Sequence, residues 1–279
     1  MPSETDVPQL SMNTGAEIAQ LGFGVFQVPP EDTAETVGLA FDAGYRSIDT
    51  AAAYGNEEGV GKAVAEAGLA REEIFVTTKI WNNDHGRQSA LRAFDASLGR
   101  LGLDYVDLYL IHWPVPSQDL YVETWQALEE LHADGRARAV GVCNFEVAHL
   151  ERLLGETEVV PAVNQIELHP RLPQPELREF HAEHGILTEA WSPLAQGELL
   201  DDTVVAKIAE AHERTPAQVI LRWHVEVGNI AIPKSVNRER IRQNIELFDF
   251  ELSAGETDQL AQLGSDGGRV GPHPDSFGS

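Results

Sequence analysis

The stretch SIDTAAAYGNEEGVGKAVAEAG, residues 47 to 68, reads as one strand, one turn and one helix. It opens as the end of a short apolar run. From Asn56 onward its apolar residues fall at helical spacing, and the pattern stops at a glycine, where a helix would end. The same unit recurs along the chain. Apolar runs at 20–26, 45–49, 74–80, 106–113, 137–143, 161–168, 186–191 and 229–235 alternate with amphipathic stretches, which makes eight strand–helix units in series. Strict alternation implies a parallel sheet with right-handed crossovers, and eight such units close into an α/β barrel, a (β/α)8 TIM barrel. A doubly wound open sheet is the structural alternative. The seventh unit splits into two helices near ERTP, residues 213–216. The tail from Ser253 makes no ninth unit. It holds a short helical segment and then DGGRVGPHPDSFGS, a C-terminal loop expected to lie over one end of the barrel.

Bulk properties agree with this frame. A single barrel domain of about 250 residues would use nearly all of the chain, 1–279. There is one cysteine, Cys143, so no internal disulfide forms and a reducing compartment is expected. No apolar run reaches membrane-spanning length, and MPSETDVPQL lacks the basic and apolar regions of a signal peptide. These features predict a cytoplasmic protein. The formal charge of -25, from 45 acids against 20 Lys and Arg, argues against nucleic-acid and anionic-membrane partners. Nothing in the sequence demands more than a monomer.

In such a barrel the C-terminal strand ends build the active site. The polar residues that fall there are Asp49, Lys79, His112, Cys143 with Asn144, Asn164 with Gln165, Trp191 with Ser192, and Lys234 with Ser235. Taken singly, each has a bland explanation: a helix cap, a snorkelling lysine, a satisfied core histidine, or a half-buried packing tyrosine at Tyr54. Their convergence on one end makes the stronger case. A tyrosine is a poor acid at neutral pH, and a nearby ammonium favours the tyrosinate and lowers its pKa. Lys79 would supply that charge, Asp49 would hold Lys79, and His112 would donate to an oxygen bound beside Tyr54. Such a site gives a proton to an oxygen that is gaining negative charge, as in carbonyl reduction. None of these residues supplies hydride, so a cofactor must.

The chain resembles the aldo-keto reductases over essentially its full length, in GYRSIDTAAAYGNEEGVG, FVTTKIW, DLYLIHWP, GVCNF, PAVNQIELHP and IPKSVNRERIRQNIELFDFEL. AWSPLAQG, TPAQVILRWH and GGRVGPHPD make it most similar to the bacterial 2,5-diketo-D-gluconate reductases. The resemblance implies a tetrad of Asp49, Tyr54, Lys79 and His112 with Tyr54 as proton donor, and NADPH extended across the barrel mouth. Asn144 and Gln165 would hold the carboxamide, and Trp191 would stack on the nicotinamide. Ser192 and Leu194 would line the pyrophosphate. Lys234, Ser235, Asn237 and Arg240 would take the 2′-phosphate, with Gln243 and Asn244 at the adenine. Phe26, Trp81, His112 and Trp113 would wall a pocket for small polar carbonyls such as keto-sugars, alongside generic aldehydes. Three positions depart from the commonest pattern: Cys143 for serine, Asn237 for threonine and Gln243 for glutamate. A thiol is a weak donor, so the first departure weakens one expected carboxamide contact.

Other readings fit less well. The nearest approach to G-x-G-x-x-G, GVGKAV at Gly59, lacks the third glycine and falls in a helix, and the segment from Gly55 to Ala63 has the wrong spacing for a Walker motif. A metal-dependent hydrolase would cluster His and carboxylates at strand ends. Of ten histidines only His112 is clearly at one, with His85, His169 and His273 in loops, and no metal is expected. A non-catalytic, cofactor-binding regulatory subunit of a membrane channel would need an extra interaction segment, which the sequence does not display.

Overall fold

The computed structural model describes residues 7–264 and 267–278. The N-terminal residues 1–6, part of the stretch read for targeting signals, and tail positions 265, 266 and 279 lie outside the described residues.

The chain opens with a hairpin of β1 (Gln9–Ser11) and β2 (Glu17–Ala19), in which Leu10 pairs with Ile18. The barrel strands follow: β3 (Phe23–Gly24), β4 (Ser47–Asp49), β5 (Phe75–Ile80), β6 (Val106–Ile111), β7 (Ala137–Cys143), β8 (Val163–Glu167), β9 (Leu187–Trp191) and β10 (Ile230–Ala231). They pair in parallel, each with its sequence neighbour, from β3 to β10. The ring closes between its first and last strands: Gly22 donates to Ala231, Ala231 to Gln20 and Gly24 to Pro233, at 2.9, 3.1 and 3.1 Å. A closed parallel ring of eight strands rules out the doubly wound alternative. Where a run of seven residues was expected at each side of the seam, 20–26 and 229–235, only two residues of each have full ladder geometry. Pro233 has no N–H to extend the ladder there.

The helices α1 (Pro30–Ala43), α2 (Glu57–Glu66), α3 (Arg87–Leu101), α4 (Tyr121–Ala133), α5 (Val147–Glu156), α6 (Pro175–His184), α7 (Thr203–His212), α8 (Pro216–Glu226) and α9 (Arg238–Ile245) form the outer layer. The break between α7 and α8 has a chemical cause. Thr215 caps α8 by accepting from Gln218 N, the Gln218 side chain bonds back to Thr215 N, and Pro216 occupies the first helical position. The tail contains α10 (Ala254–Ala261). Among the described residues no helix is long and apolar enough to cross a membrane.

Two apolar layers hold this arrangement. The larger lies between strands and helices and includes Trp125, Trp223, Phe94 and Tyr109, all fully buried. The smaller fills the barrel's lower interior with Leu108, Leu110, Ala139, Val163 and Ile230. Met12 and Ile18 of the hairpin close it from below, and Asn13 ties the hairpin to the carbonyl of Pro161, just before β8. The sequence reading, whose first strand begins at residue 20, did not find this plug. It leaves the opposite end, where the polar residues gather, as the only one of the two that the hairpin does not fill.

Candidate active site

Asp49 ends β4, and the turn that follows is fixed by a buried side chain. Asn56 accepts from the Thr50 hydroxyl at 2.8 Å and donates to the carbonyls of Val25 and Val28 at 2.9 and 3.3 Å. The turn therefore carries Tyr54 to the loop after β3, where its ring packs on Phe26 with centroids 5.0 Å apart. Lys79, near the end of β5, is fully buried. Its ammonium donates to Asp49 Oδ1 at 2.6 Å, to the carbonyl of Thr50 at 2.9 Å and to the Tyr54 hydroxyl at 3.4 Å. An ammonium has three donors and no acceptor, so all three are engaged and the Tyr54 oxygen is the acceptor in its pair. The phenolic proton is thereby left pointing away from Lys79. Here lies the reason for an acid and a phenol on one strand-to-helix turn: both belong to the lysine of the next strand.

His112, just after β6, sits edge-on to Tyr54 and Trp81, at 5.6 and 5.1 Å between centroids. Its Nδ1 is buried without a partner among the described residues. Burial first, and the Lys79 charge second, hold its pKa well below the usual histidine value, so it is neutral at physiological pH. From there a hydrogen-bonded path leads across the mouth. The Asn144 side chain donates to the His112 carbonyl at 3.0 Å and accepts from Trp191 Nε1 at 2.8 Å, which pins the indole ring. Gln165 donates to Asp49 Oδ2 at 2.8 Å. Asn144 and Ser192, directly after β7 and β9, both have left-handed backbones, with φ of 62° and 46°. Conformations of this kind cost on the order of 1–3 kcal/mol each and concentrate at functional sites.

Beyond β10 the character changes. Lys234 and Arg240 are exposed, and among the described residues neither side chain has a carboxylate partner, whereas Arg242 is paired with Glu239 and Glu246. Asn237 caps α9 by accepting from Arg240 N at 3.0 Å, and Ser235 accepts from Asn237 N at 3.1 Å. Gln243 donates to Glu239 at 3.0 Å, and Asn244 is buried.

Residues 18–265 match the Aldo/keto reductase family. The chain belongs to this family. It is 57% identical over 270 residues to an aldo-keto reductase of Mycolicibacterium smegmatis, covering 97% of this chain and 98% of that one. It is 53% identical over 269 residues to the glyoxal reductase of Bacillus subtilis, covering 96% of each chain. Among solved structures, apo Gox0644 superposes with a TM-score of 0.94 at 50% identity, over 97% of this chain and 98% of that one. A variant of Gox0644 has been solved with NADPH and gives a TM-score of 0.93.

In this aldo-keto reductase one sequence expectation is reversed. The neighbouring ammonium was expected to bring the Tyr54 pKa down, yet burial outweighs Lys79 and pushes it up to about 12. Cys143, a departure from the commonest pattern, is fully buried at the end of β7, where it packs with the interior apolar cluster, and burial drives its thiol pKa well up, so it is inert packing. Three functional-looking residues were missed. Glu167 is fully buried and accepts from Val270 N at 2.6 Å and Gly271 N at 2.9 Å, which holds the tail over the mouth as expected. Position 271 must be glycine for that path, since a Cβ there would lie 2.4 Å from the Trp191 ring. Phe277 then reaches Trp113, with centroids 4.3 Å apart, and Trp81 at 6.1 Å. Glu189, in the middle of β9, is the third. The acids inside PAVNQIEL and ILTEAW were the available signal, since a carboxylate in an apolar run needs a buried partner.

Proposed function

We propose that this aldo-keto reductase reduces small polar carbonyls with NADPH, Tyr54 giving the proton. The observation that carries the reading is the engagement of Lys79, whose three donors go to Asp49, Thr50 and Tyr54. Tyr54 keeps its proton through the neutral range and presents it to a carbonyl oxygen. As the proton leaves, Lys79 stabilises the phenolate charge, and Asp49 keeps the ammonium in place. Neutral His112 orients the same oxygen with a ring N–H. Bound NADPH supplies the hydride that the carbonyl carbon receives.

The residues present suit that cofactor. Two exposed cations without carboxylate partners, Lys234 and Arg240, flank the N-terminus of α9 and match a phosphate, with Ser235 and Asn237 beside them. Gln243 and Asn244 fit the adenine, and Ser192 and Leu194 the pyrophosphate. Asn144 and Gln165 offer amides to a carboxamide, and the pinned Trp191 offers a ring to the nicotinamide. The oxygen of Asn237 is already used on the α9 cap, so its contribution to phosphate is through its amide nitrogen.

Phe26, Trp81, His112 and Trp113 are the substrate contacts in this reading. An apolar strip with a few donors suits a short chain with one reactive carbonyl: dicarbonyls, keto-sugars including 2,5-diketo-D-gluconate, and simple aldehydes. The name of the glyoxal reductase relative supports the dicarbonyls. The intact tetrad disfavours a non-catalytic regulatory subunit. We take the chain to act as one barrel domain, a cytoplasmic monomer. The test is a panel of carbonyls with NADPH consumption as the readout. Dicarbonyls and keto-sugars are expected to lead. Preference for steroids or other bulky apolar ketones by a wide margin contradicts the substrate reading, and no turnover of any carbonyl contradicts the enzyme.

A further inference from the structure

Glu189 lies in the interior of the barrel, only 1% exposed, directly opposite Gln165 in the β8–β9 register. The Gln165 amide nitrogen stands 2.8 Å from Asp49 Oδ2 and 2.8 Å from Glu189 Oε2. A primary amide has two N–H donors on its nitrogen and only acceptor capacity on its oxygen. Both donors are therefore spent on carboxylates, one on each. Turning the amide over would set its oxygen against the Asp49 carboxylate, which is ion-paired with Lys79, acceptor against acceptor, so that contact determines the orientation. Asp49 alone would leave the second N–H without a partner in a buried site, because its other oxygen belongs to Lys79.

The arrangement has an electrostatic cost. Asp49 from β4, Lys79 from β5, the Cys143 thiol from β7 and Gln165 from β8 surround Glu189, and the one cation among them is already paired with Asp49. Burial, and then the charge of Asp49, raise the Glu189 pKa to about 7. An apolar side chain in β9 would pack without that conflict. The conflict acquires a purpose if the direction of the Gln165 amide matters to the reaction.

We propose that Glu189 is a positioning residue: by taking the second N–H of Gln165 it locks the amide so that the oxygen, not the nitrogen, is offered to the carboxamide of the bound cofactor. This rests on the reading that NADPH occupies the mouth with its carboxamide at Gln165. The amide oxygen then accepts from the carboxamide NH2, which helps to fix the rotation of the nicotinamide ring.

The test compares NADP with its 3-acetylpyridine analogue, in which an acetyl group replaces the carboxamide and the N–H donors are lost. Both are titrated into wild type, Glu189→Gln and Glu189→Leu, with quenching of protein fluorescence as the readout and a melting curve for each variant. Wild type is expected to prefer NADP by about tenfold or more, the size expected for one hydrogen bond that loses its donor in a buried site. Glu189→Gln still has an oxygen to accept from Gln165 and keeps the preference. Glu189→Leu loses most of it, to within about threefold of parity. If Glu189→Leu is too unstable to bind either dinucleotide, Glu189→Met, with the length kept and the carboxylate gone, carries the same expectation. An unchanged preference in the Leu or Met variant overturns the proposal, and so does an equal weakening of both ligands, which would mark Glu189 as structural only. Equal wild-type affinity for the two ligands overturns it while leaving the cofactor reading intact. Failure of wild type to bind either one overturns both.

Discussion

Lys79 and Arg240 are both cations of the barrel mouth, but they are built in opposite ways. Lys79 is fully buried, and its three donors meet Asp49, Thr50 and Tyr54. Arg240 is exposed and among the described residues its side chain has no carboxylate partner. Burial works against the Lys79 charge, yet Asp49 and the other groups around it outweigh that and raise its pKa. The buried group is complete within the protein and can act on a reaction without reorganising. The exposed group is incomplete, and in the function proposed above a ligand anion would supply what it lacks. An acidic protein, at -25, can thus hold an anionic cofactor if a few cations are kept free of internal carboxylates.

The largest effect is expected at Lys79. Lys79→Met leaves the Asp49 carboxylate buried and unpaired, and removing one partner of a buried pair costs about 3–5 kcal/mol. Urea unfolding at neutral pH checks this. Arg240→Ala, by contrast, is expected to leave the unfolding midpoint where it was. A small effect at Lys79 would mean that the buried cluster is wetter than its geometry.

Glu189 gives the next largest effect, and its sign follows from its pKa. The folded value of about 7 lies above the ordinary 4.5, so the native state holds the proton more tightly than the unfolded chain does. The contribution to stability is complete below about pH 4.5 and is lost as the pH rises through 7. A shift of that size corresponds to about 3 kcal/mol. Glu189→Gln does not titrate, so its stability relative to wild type should climb between pH 4.5 and pH 8, as read from paired unfolding curves. A parallel pH dependence in the two proteins would remove Glu189 as the titrating group.

At the exposed cluster the effect is on binding. Lys234→Ala or Arg240→Ala should weaken NADPH by about 10- to 150-fold, the worth of one hydrogen bond to a charged group, while NADH changes little. The difference should shrink as salt is added. Parallel losses for both cofactors would show that the cluster does not read the 2′-phosphate. Smallest is Phe277→Ala. An aromatic pair is worth about 0.5–1.5 kcal/mol beyond its buried area. The KM for an aromatic aldehyde should rise severalfold, with NADPH affinity unchanged. No change in KM would place Phe277 outside the pocket.

Much of this was legible in the sequence, and the reasons it stopped are physical. Strand–helix alternation gave the barrel because each unit carries its own local periodicity. Strand ends gave Asp49, Lys79 and His112 because position along a strand decides which end of the barrel a residue reaches. The β1–β2 hairpin was not found because three-residue strands are too short to show a period. Glu189 and Gln165 are 24 residues apart, and their contact depends on the register of two strands, which no local pattern encodes. The Tyr54 pKa went the other way because its sign is a contest between a charge, which the sequence displays, and burial, which only the fold determines.

The central claim is a division of labour between the buried proton-donor cluster and the exposed cation cluster. The most direct measurement takes kcat for one aldehyde and the dissociation constant for NADPH in two variants side by side, Tyr54→Phe and Arg240→Ala. Tyr54→Phe should lose about 10²- to 10⁴-fold in kcat, the usual worth of general acid catalysis, and keep its NADPH affinity. Arg240→Ala should keep kcat at saturating NADPH and lose affinity. Near-normal turnover in Tyr54→Phe, or parallel losses of both quantities in either variant, would contradict the account.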